Sequence, residues 1–390
     1  MTKLERLITE LCPDGVKFFR LEDCCEIEDN KRIPIKASER VAGKTPYYGA
    51  NNIQGFVEGF THDGEYILIA EDGSSSLEKY SIQYVVGKFW ANNHVHVVKG
   101  NNNVNTRFLF HYFSAFNFIP YLVGGTRAKL NKSEMLKLPI PLPSLPIQRE
   151  IVRILDNFTE LTAELTAELT ARKKQYGYYR NELLTFTDGA LRATLSHCCI
   201  SIADGDHQAP PKTDTGIPFI TISNVSNSNQ IDFSNTKYVP ETYYNRLDNK
   251  RKAQTNDILY TVVGSFGIPV FIDSDMKFAF QRHIAILRPD HKTIFPRYLY
   301  HALQSSDFMK QANNAAVGAA QRTITLTALN RMKIHLPSLA KQVSIADILD
   351  RFDALTTDIK NGLPAEIVAR QKQYEYYRDK LLAFPAKQGA

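Results

Sequence analysis

Apolar residues recur at alternating steps of three and four along two stretches of the chain, Ile147 to Leu183 and Ile345 to Leu381. This spacing keeps one stripe of side chains facing a partner helix, as in a coiled-coil seam. Each stripe could instead face the core of a domain. Two stripes of one kind, with no third long helix to receive them, favour mutual antiparallel packing. The seam residues are Ile151, Ile154, Phe158, Leu161, Leu165, Leu169, Tyr176, Tyr179, Ile348, Phe352, Leu355, Ile359, Tyr374 and Tyr377.

The two helices differ in their middles. The first, predicted over 147–184, would span about 55 Å at 1.5 Å per residue. It contains Thr-Ala-Glu-Leu twice, at 162–165 and 166–169, which places one stutter in the heptads. In the second, Asn361-Gly362 is a candidate helix C-cap and Pro364 a candidate first helical residue. We therefore expect a kink or short break there.

The chain also contains two copies of one unit. Asp14-Gly15 recurs as Asp188-Gly189 and Cys24-Cys25 as Cys198-Cys199. Three further blocks repeat at slowly increasing offsets, which indicates insertions in the second copy. They are Arg107 to His111 with Arg297 to His301, Leu142 to Asp156 with Leu336 to Asp350, and Arg172 to Phe186 with Arg370 to Phe384. A duplicated unit predicts a pseudo-symmetric product.

The part of each copy that precedes its long helix is more variable and has the composition of a mixed domain. Short β-branched and aromatic runs separated by Gly, Asn and Pro predict strands near 66–69, 94–98, 258–263 and 283–287. Helices are predicted at 108–118 and 298–311. The fold class is therefore α/β (α+β), with two similar mixed domains at 1–144 and 188–338, the first with a short N-terminal helix, and spacer helices at 145–187 and 339–390.

Composition narrows the class of protein. Of the 390 residues, 43% are hydrophobic and 23% charged, as in ordinary globular proteins. The net charge of +6 is compatible with a polyanionic partner without requiring one. Five cysteines and no secretory leader favour a reducing compartment, so a cytoplasmic location is expected, and no stretch predicts a membrane span.

Motifs for catalysis are missing from the sequence. It has no phosphate-binding loop, no dinucleotide fingerprint, no H-E-x-x-H and no C-x-x-C. The adjacent cysteine pairs are interpreted as small core residues. His94 and His96 alternate on one strand and could bind a metal, but His283 has no second histidine beside it, so no metal site is expected.

Taken together, these motifs resemble the specificity subunit of type I restriction-modification enzymes. The resemblance rests on a variable domain followed by Leu-Pro-Ser-Leu, a Gln, and an Ile-Leu-Asp-x-Phe helix start. It rests also on the Arg-x-Lys-Gln-Tyr-x-Tyr-Tyr-Arg run, the Thr-Ala-Glu-Leu repeat and Asp204-Gly205-Asp206-His207. It covers nearly the whole chain, twice.

The resemblance implies a non-catalytic subunit whose two target-recognition domains each read one half of a bipartite double-stranded DNA target. The spacer helices would set the gap between the halves and dock two methylation subunits, with motor-nuclease subunits completing the complex. S-adenosylmethionine, ATP and magnesium would be bound by those partners, and this chain would bind no cofactor.

Candidate DNA contacts are donor-bearing residues in turn-like segments, because base edges and phosphates are read mostly by such side chains. Residues 318–322 occupy the place in the second copy that 124–128 occupy in the first. The candidates are Lys44, Tyr47, Asn51, Asn52, Arg127 and Lys129 in the first domain, and His207, Gln208, Lys212, Asn224, Ser265, Arg282, Gln321 and Arg322 in the second.

Three other classes of function remain open at this point. A stand-alone DNA-binding regulator would use the long helices to dimerise. The recognition part of a single-chain modification enzyme would need cofactor motifs that the sequence lacks. A scaffold that binds only proteins would lack the steep salt dependence that phosphate contacts give to DNA binding.

Overall fold

A computed structural model describes residues 2–125, 128–186, 191–205, 210–226, 228–319, 321–358 and 361–387. The α-helices are α1 Lys3–Leu11, α2 Leu21–Cys24, α3 Thr106–Phe113, α4 Lys132–Met135, α5 Leu145–Leu184, α6 Leu195–Cys198, α7 Glu241–Arg246, α8 Pro296–Ala302, α9 Ser306–Ala315, α10 Leu326–Arg331, α11 Leu339–Thr357 and α12 Leu363–Leu382. The strands are β1 Phe18–Arg20, β2 Cys25–Ile27, β3 Ala42–Gly49, β4 Asn52–Val57, β5 His62–Ala70, β6 Ile82–Ala91, β7 Val95–Gly100, β8 Pro139–Pro141, β9 Arg192–Thr194, β10 Cys199–Asp204, β11 Ile217–Ile220, β12 Lys237–Val239, β13 Ile258–Thr261, β14 Pro269–Phe271, β15 Ala279–Phe280, β16 Ile284–Pro289 and β17 Lys333–His335.

The chain divides into two compact units. Unit 1 comprises 1–164 and 368–390, and unit 2 comprises 165–367. Each unit therefore contains one variable domain, the start of the spacer helix after it, and the end of the spacer helix from the other copy. The four-part division at 144, 187 and 338 stays a prediction, although α5 lies within 145–187.

Unit 1 is built on a six-stranded sheet with the order β2-β7-β5-β6-β3-β4. Successive side chains of β5 point to opposite faces, as strand geometry requires. Ile67 and Ile69 pack in one hydrophobic cluster with Leu109 of α3, while Tyr66 and Leu68 pack in another. Both faces of this strand are thus buried, and the strands predicted near 66–69 and 94–98 are confirmed.

Unit 2 has a four-stranded sheet, β10-β16-β13-β14, and a three-stranded sheet, β12-β11-β15. Ile258 and Tyr260 of β13 pack towards α8 and α9, whereas Leu259 packs in a separate cluster on the other face. The strands predicted near 258–263 and 283–287 are confirmed. The helix predicted over 298–311 is wrong as a single element. It is two helices, because the Ser305 side chain caps a new start by accepting from the Phe308 amide.

The repeated glutamine fixes each variable domain to its spacer helix. Gln148 is fully buried; its Oε1 accepts from the Asn105 amide at 2.8 Å and its Nε2 donates to the Pro143 carbonyl at 2.7 Å. In unit 2, Gln342 makes the matching bonds to the Phe295 amide and the Pro337 carbonyl, both at 2.8 Å. The same side chain therefore satisfies the same backbone groups in both copies.

A second repeated contact, here called the junction cluster, joins three segments in unit 1. His111 is fully buried, and its Nε2–H donates to Asp156 at 2.8 Å while its Nδ1 accepts from the Tyr374 hydroxyl at 3.0 Å. Arg107 also binds Asp156, at 2.7 Å. Burial lowers the pKa of His111 to about 4 against the opposing effect of Asp156, so the imidazole is neutral near pH 7.

The junction cluster of unit 2 has the same chemistry. His301 donates to Asp350 at 2.6 Å and accepts from the Tyr176 hydroxyl at 3.0 Å, and Arg297 binds Asp350 at 2.8 Å. Burial lowers the pKa of His301 as well. In both units the tyrosine comes from the end of the other copy's spacer helix, so the motifs found by repetition meet at one structural junction.

Each unit pairs the start of one spacer helix with the end of the other, as antiparallel packing requires. Phe158 stacks on Tyr377 with ring centroids 5.3 Å apart in unit 1, and Phe352 stacks on Tyr179 at 5.5 Å in unit 2. Of the other seam residues, Ile151, Tyr176 and Tyr374 are buried, and Ile154, Leu161, Leu165 and Leu169 are half-buried. Ile359 lies outside the described residues.

The expected seam is wrong for part of α11. Ile348 and Leu355 are 42% and 38% exposed, whereas Ile345 and Leu349 are buried. The helix α11 has apolar residues on two adjacent faces. The face that carries Ile345 and Leu349 packs in the core that contains α8.

The second spacer is broken, as Pro364 predicted. The helix α11 ends at the C-cap Asp358 and α12 begins at Leu363, with Pro364 in its first turn. The expected C-cap at Asn361-Gly362 is wrong. The Gly362 amide instead donates to the Asp358 carbonyl at 3.0 Å, and a Cβ at Gly362 would lie 2.7 Å from the carbonyl oxygens of Ala354 and Asp358.

The cysteines are free thiols, and Cys24, Cys198 and Cys199 are buried, in agreement with a core role. Cys25 is half-buried. Among the helices of the described residues, none combines the length and hydropathy that a membrane span needs.

Candidate nucleic-acid interface

Paired backbone bonds flank the segment 124–128, here called the closed loop of unit 1. The amides of Val123 and Lys129 each donate to the other residue's carbonyl at 2.8 Å, and the Leu130 amide donates to the Glu71 carbonyl at 2.8 Å. The loop therefore leaves the sheet beside the end of β5. Arg127 belongs to it but lies outside the described residues.

Beside this loop, Asp72 binds two side chains. Its Oδ1 accepts from His94 Nδ1 at 2.5 Å and its Oδ2 accepts from Lys129 Nζ at 3.1 Å. Although partial burial opposes ionisation, the hydrogen bonds from His94 and Lys129 hold the pKa of Asp72 below its usual range. The side chains of His94 and Lys129 stay about half exposed, at 48% and 49%. Both can therefore reach a ligand.

The turn between β3 and β4 is attached to the same region. The Asn51 side chain donates to the Gly73 carbonyl at 2.7 Å and accepts from the Ser75 amide at 2.8 Å. Asn52, with a φ of 142°, is exposed next to it. Gly73, which binds Asn51, comes directly after Asp72, which binds Lys129. The structure thus brings three candidates to one edge of unit 1, namely Asn51, Asn52 and Lys129.

The matching loop of unit 2 is 318–322. Val317 and Thr323 exchange backbone bonds of 2.9 and 2.8 Å, and the Gly264 amide donates to the Arg322 carbonyl at 2.9 Å. The Arg322 guanidinium lies 5.3 Å from the centre of the Phe266 ring. Ser265 is exposed between Gly264 and Phe266, so it belongs to the same surface.

A cleft of about 480 Å³ opens beside this loop. Arg282 and Gln321 line it, together with His283 and Asp204. Arg282 and Gln321 are exposed, and they carry the donor groups that read guanine and adenine in the major groove. The structure therefore assembles four candidate residues of the second domain, namely Ser265, Arg282, Gln321 and Arg322.

Several of the candidate DNA contacts do not lie at these two surfaces. Tyr47 is buried, with its hydroxyl accepting from the Ile35 amide at 3.1 Å, and Asn224 is buried as part of a capping box with Thr221. Neither can offer its side chain to DNA in this structure, so both leave the set of proposed contacts. Lys44 lies on β3, and Lys212 precedes the Thr213–Tyr238 bridge. Both are exposed but are not joined to the two loops. His207 and Gln208 lie outside the described residues.

Two histidines were missed as candidate contacts. His94 was considered only as a metal ligand, and His283 only as its counterpart. Their positions in the sequence could have indicated them, because each histidine immediately precedes an interior strand of its sheet. His94 precedes β7 and His283 precedes β16. Among the described residues, no group of three or more His, Cys, Asp or Glu side chains is arranged to hold a metal.

Comparison with known proteins identifies the class. The family model described as "Type I restriction modification DNA specificity domain" matches residues 13–172 and 206–369, one match for each copy. The chain therefore belongs to the specificity subunits of type I restriction-modification systems, a family that lacks catalytic activity of its own.

Particular relatives agree with this membership. The chain is 42% identical, over 98% of both chains, to a putative type I restriction enzyme specificity subunit of Haemophilus influenzae. It is 38% identical to the EcoR124I/EcoR124II specificity subunit of Escherichia coli, over 64% of this chain and 63% of that one. The crystal structure of the type I S subunit from M. genitalium has the same fold, with a TM-score of 0.61, 14% identity and coverage of 94% and 96%. Family and relatives do not favour a stand-alone regulator.

Proposed function

We propose that each variable domain binds one half of a bipartite duplex DNA target through the surface around its closed loop. The observation that carries this proposal is that the same pair of backbone bonds flanks the corresponding segment in each unit, 124–128 or 318–322. Exposed donors surround each loop, and these are the groups that contact base edges and phosphates. Two copies of one reading surface suit a target made of two separate halves.

The spacer helices would set the number of unread bases between the halves. The helix α5 is continuous over 40 residues and includes both Thr-Ala-Glu-Leu copies. One further four-residue copy would lengthen it by about 6 Å and rotate the residues beyond the insertion by about 40°. We expect a chain with a third copy to direct methylation to the same half-targets with a longer gap. An unchanged gap would contradict this role for the helices.

The chemistry would belong to partner subunits. We propose that the chain assembles with two methylation subunits, which bind S-adenosylmethionine and methylate adenine, and with motor-nuclease subunits that use ATP and magnesium. The residues of this chain would choose the site and orient the partners.

Salt dependence separates this function from a scaffold that binds only proteins. With the chain bound to its methylation subunits, the dissociation constant for a target duplex should rise steeply with salt, because cationic contacts release counterions from phosphates. Gln321→Ala should weaken discrimination in one half-target alone. The matched control is Gln254→Ala, an exposed glutamine of the same unit that precedes β13 and lies away from the loop. A salt-insensitive complex would favour the scaffold, and equal effects of the two variants would remove the loop of unit 2 from the interface.

A further inference from the structure

The two reading surfaces share one backbone frame, which allows their residues to be matched without relying on sequence identity. The Glu71 amide donates to the His94 carbonyl at 2.9 Å, and in unit 2 the Val262 amide donates to the His283 carbonyl at 2.9 Å. The Leu130 amide donates to Glu71, as the Ile324 amide does to Val262, both at 2.8 Å. By these bonds, Asp72 of unit 1 corresponds in position to Val263 of unit 2. Lys129 corresponds in the same way to Thr323.

The side chains at these matched positions differ in charge. Unit 1 has Asp72 and Lys129 in ion-pair contact at 3.1 Å, and unit 2 has Val263 and Thr323. The histidine is present in both, but His94 donates to a carboxylate whereas His283 lines the cleft beside Arg282. A frame that closes with Val and Thr does not require a carboxylate. The contacts of Asp72 are therefore specific to unit 1 and have no equivalent at the matched positions of unit 2.

We infer that Asp72 is a specificity-determining positioning residue, which holds Lys129 and His94 in fixed directions so that Lys129 donates to a guanine in the first half-target. This inference rests on the proposed function and goes beyond it by naming the residue and the base.

The physical basis is preorganisation. A free lysine has a flexible four-carbon stem and loses rotamer freedom when it binds, whereas Lys129 is already held by Asp72. The ammonium has three donors, so one bond to Asp72 leaves others for the N7 and O6 acceptors of guanine. With Nδ1–H of His94 directed at Asp72, the other ring nitrogen, Nε2, is left for the ligand. Asp72 itself is only 25% exposed and acts through its two partners.

The test compares Asp72→Asn with Asp63→Asn in the assembled methylation complex. Both variants remove one negative charge, and Asp63 is exposed near the start of β5, the strand whose end precedes Asp72 by two residues. Methylation rates are measured on a duplex library randomised at each position of both half-targets. We expect Asp72→Asn to reduce the preference for guanine at one position of the first half-target by about 5-fold to 150-fold. The second half-target and the Asp63→Asn profile should match those of the unchanged chain.

The Lys129→Met variant measures the energetic coupling between Asp72 and Lys129. If Asp72 acts through Lys129, then Asp72→Asn in the Lys129→Met background should cause little further loss at that position. Full additivity of the two changes would overturn the inference.

The remaining outcomes are also decisive. An unchanged first half-target in Asp72→Asn overturns the inference, and loss of every position of that half-target assigns Asp72 to folding instead. A uniform rise in affinity with no change of preference would make the carboxylate a simple repulsive charge, which also overturns it. If the unchanged chain gives no bipartite pattern at all, the proposed function fails first and takes this inference with it.

Discussion

Acidification from pH 7 to pH 5 should destabilise unit 1 through His111. Burial lowers its pKa to about 4 in the folded chain, from about 6.5 when unfolded. The unfolded state then binds more protons than the folded state between these values, so stability is present above about pH 6.5 and falls as the pH drops towards 4. Between pH 7 and pH 5 the difference amounts to about 1.3 pKa units, or about 2 kcal/mol.

The chain offers a direct assay for this loss. It has one tryptophan, Trp90, which lies in β6 of unit 1 and donates from Nε1 to the Ile33 carbonyl at 2.7 Å. Urea unfolding followed by tryptophan fluorescence therefore reports on the unit that contains His111. The free energy of unfolding should be about 2 kcal/mol smaller at pH 5 than at pH 7.

His111→Gln separates this residue from the other groups that titrate. Burial also lowers the pKa of His62 in the same unit, so a smaller slope of the same sign should remain in the variant. The difference between the two slopes is the contribution of His111. Equal slopes in the unchanged chain and in His111→Gln would refute the assignment of a neutral, buried imidazole to the junction cluster.

Three further predictions concern the junctions and the helix break. Tyr374→Phe removes the donor to the buried Nδ1 of His111 and should lower the stability of unit 1 by about 1–3 kcal/mol, read from Trp90 fluorescence, with no loss if the hydroxyl bond is absent. Gln148→Ala leaves buried backbone groups unpaired and should lower it by about 3 kcal/mol in the same assay; a change below about 0.5 kcal/mol would show that other groups satisfy them. Gly362→Ala places a Cβ against carbonyl oxygens of α11 and should lower the thermal midpoint measured by circular dichroism, whereas an unchanged midpoint would mean that the break relaxes freely.

Much of the fold could be predicted from the sequence, because two independent features, the apolar runs and the internal repeats, gave consistent results. Short β-branched and aromatic runs between turn-forming residues located β5 and β13, whose side chains pack on opposite faces in turn. Repetition located His111, Gln148 and Asp156 and their counterparts, and these residues prove to form one kind of junction in each unit.

The errors have equally specific physical causes. In α11, apolar residues occupy two adjacent faces, so spacing alone did not show that Leu349 rather than Ile348 is buried. Tyr47 lies in a Gly-rich segment that looks exposed, but its ring fills the core of unit 1. Asp72 was missed because base-reading side chains are expected to be donors, and its role depends on Lys129, which lies 57 residues away in the sequence and 3.1 Å away in space.

As a specificity subunit, this chain should choose a bipartite DNA target for its methylation subunits. The most direct measurement is single-molecule methylation sequencing of DNA from cells that express the chain with its methylation subunit, against cells that lack only this chain. We expect a new adenine-methylated motif of two half-sites with a fixed gap, present only with the chain. Assembly of the complex without any chain-dependent motif would contradict this expectation.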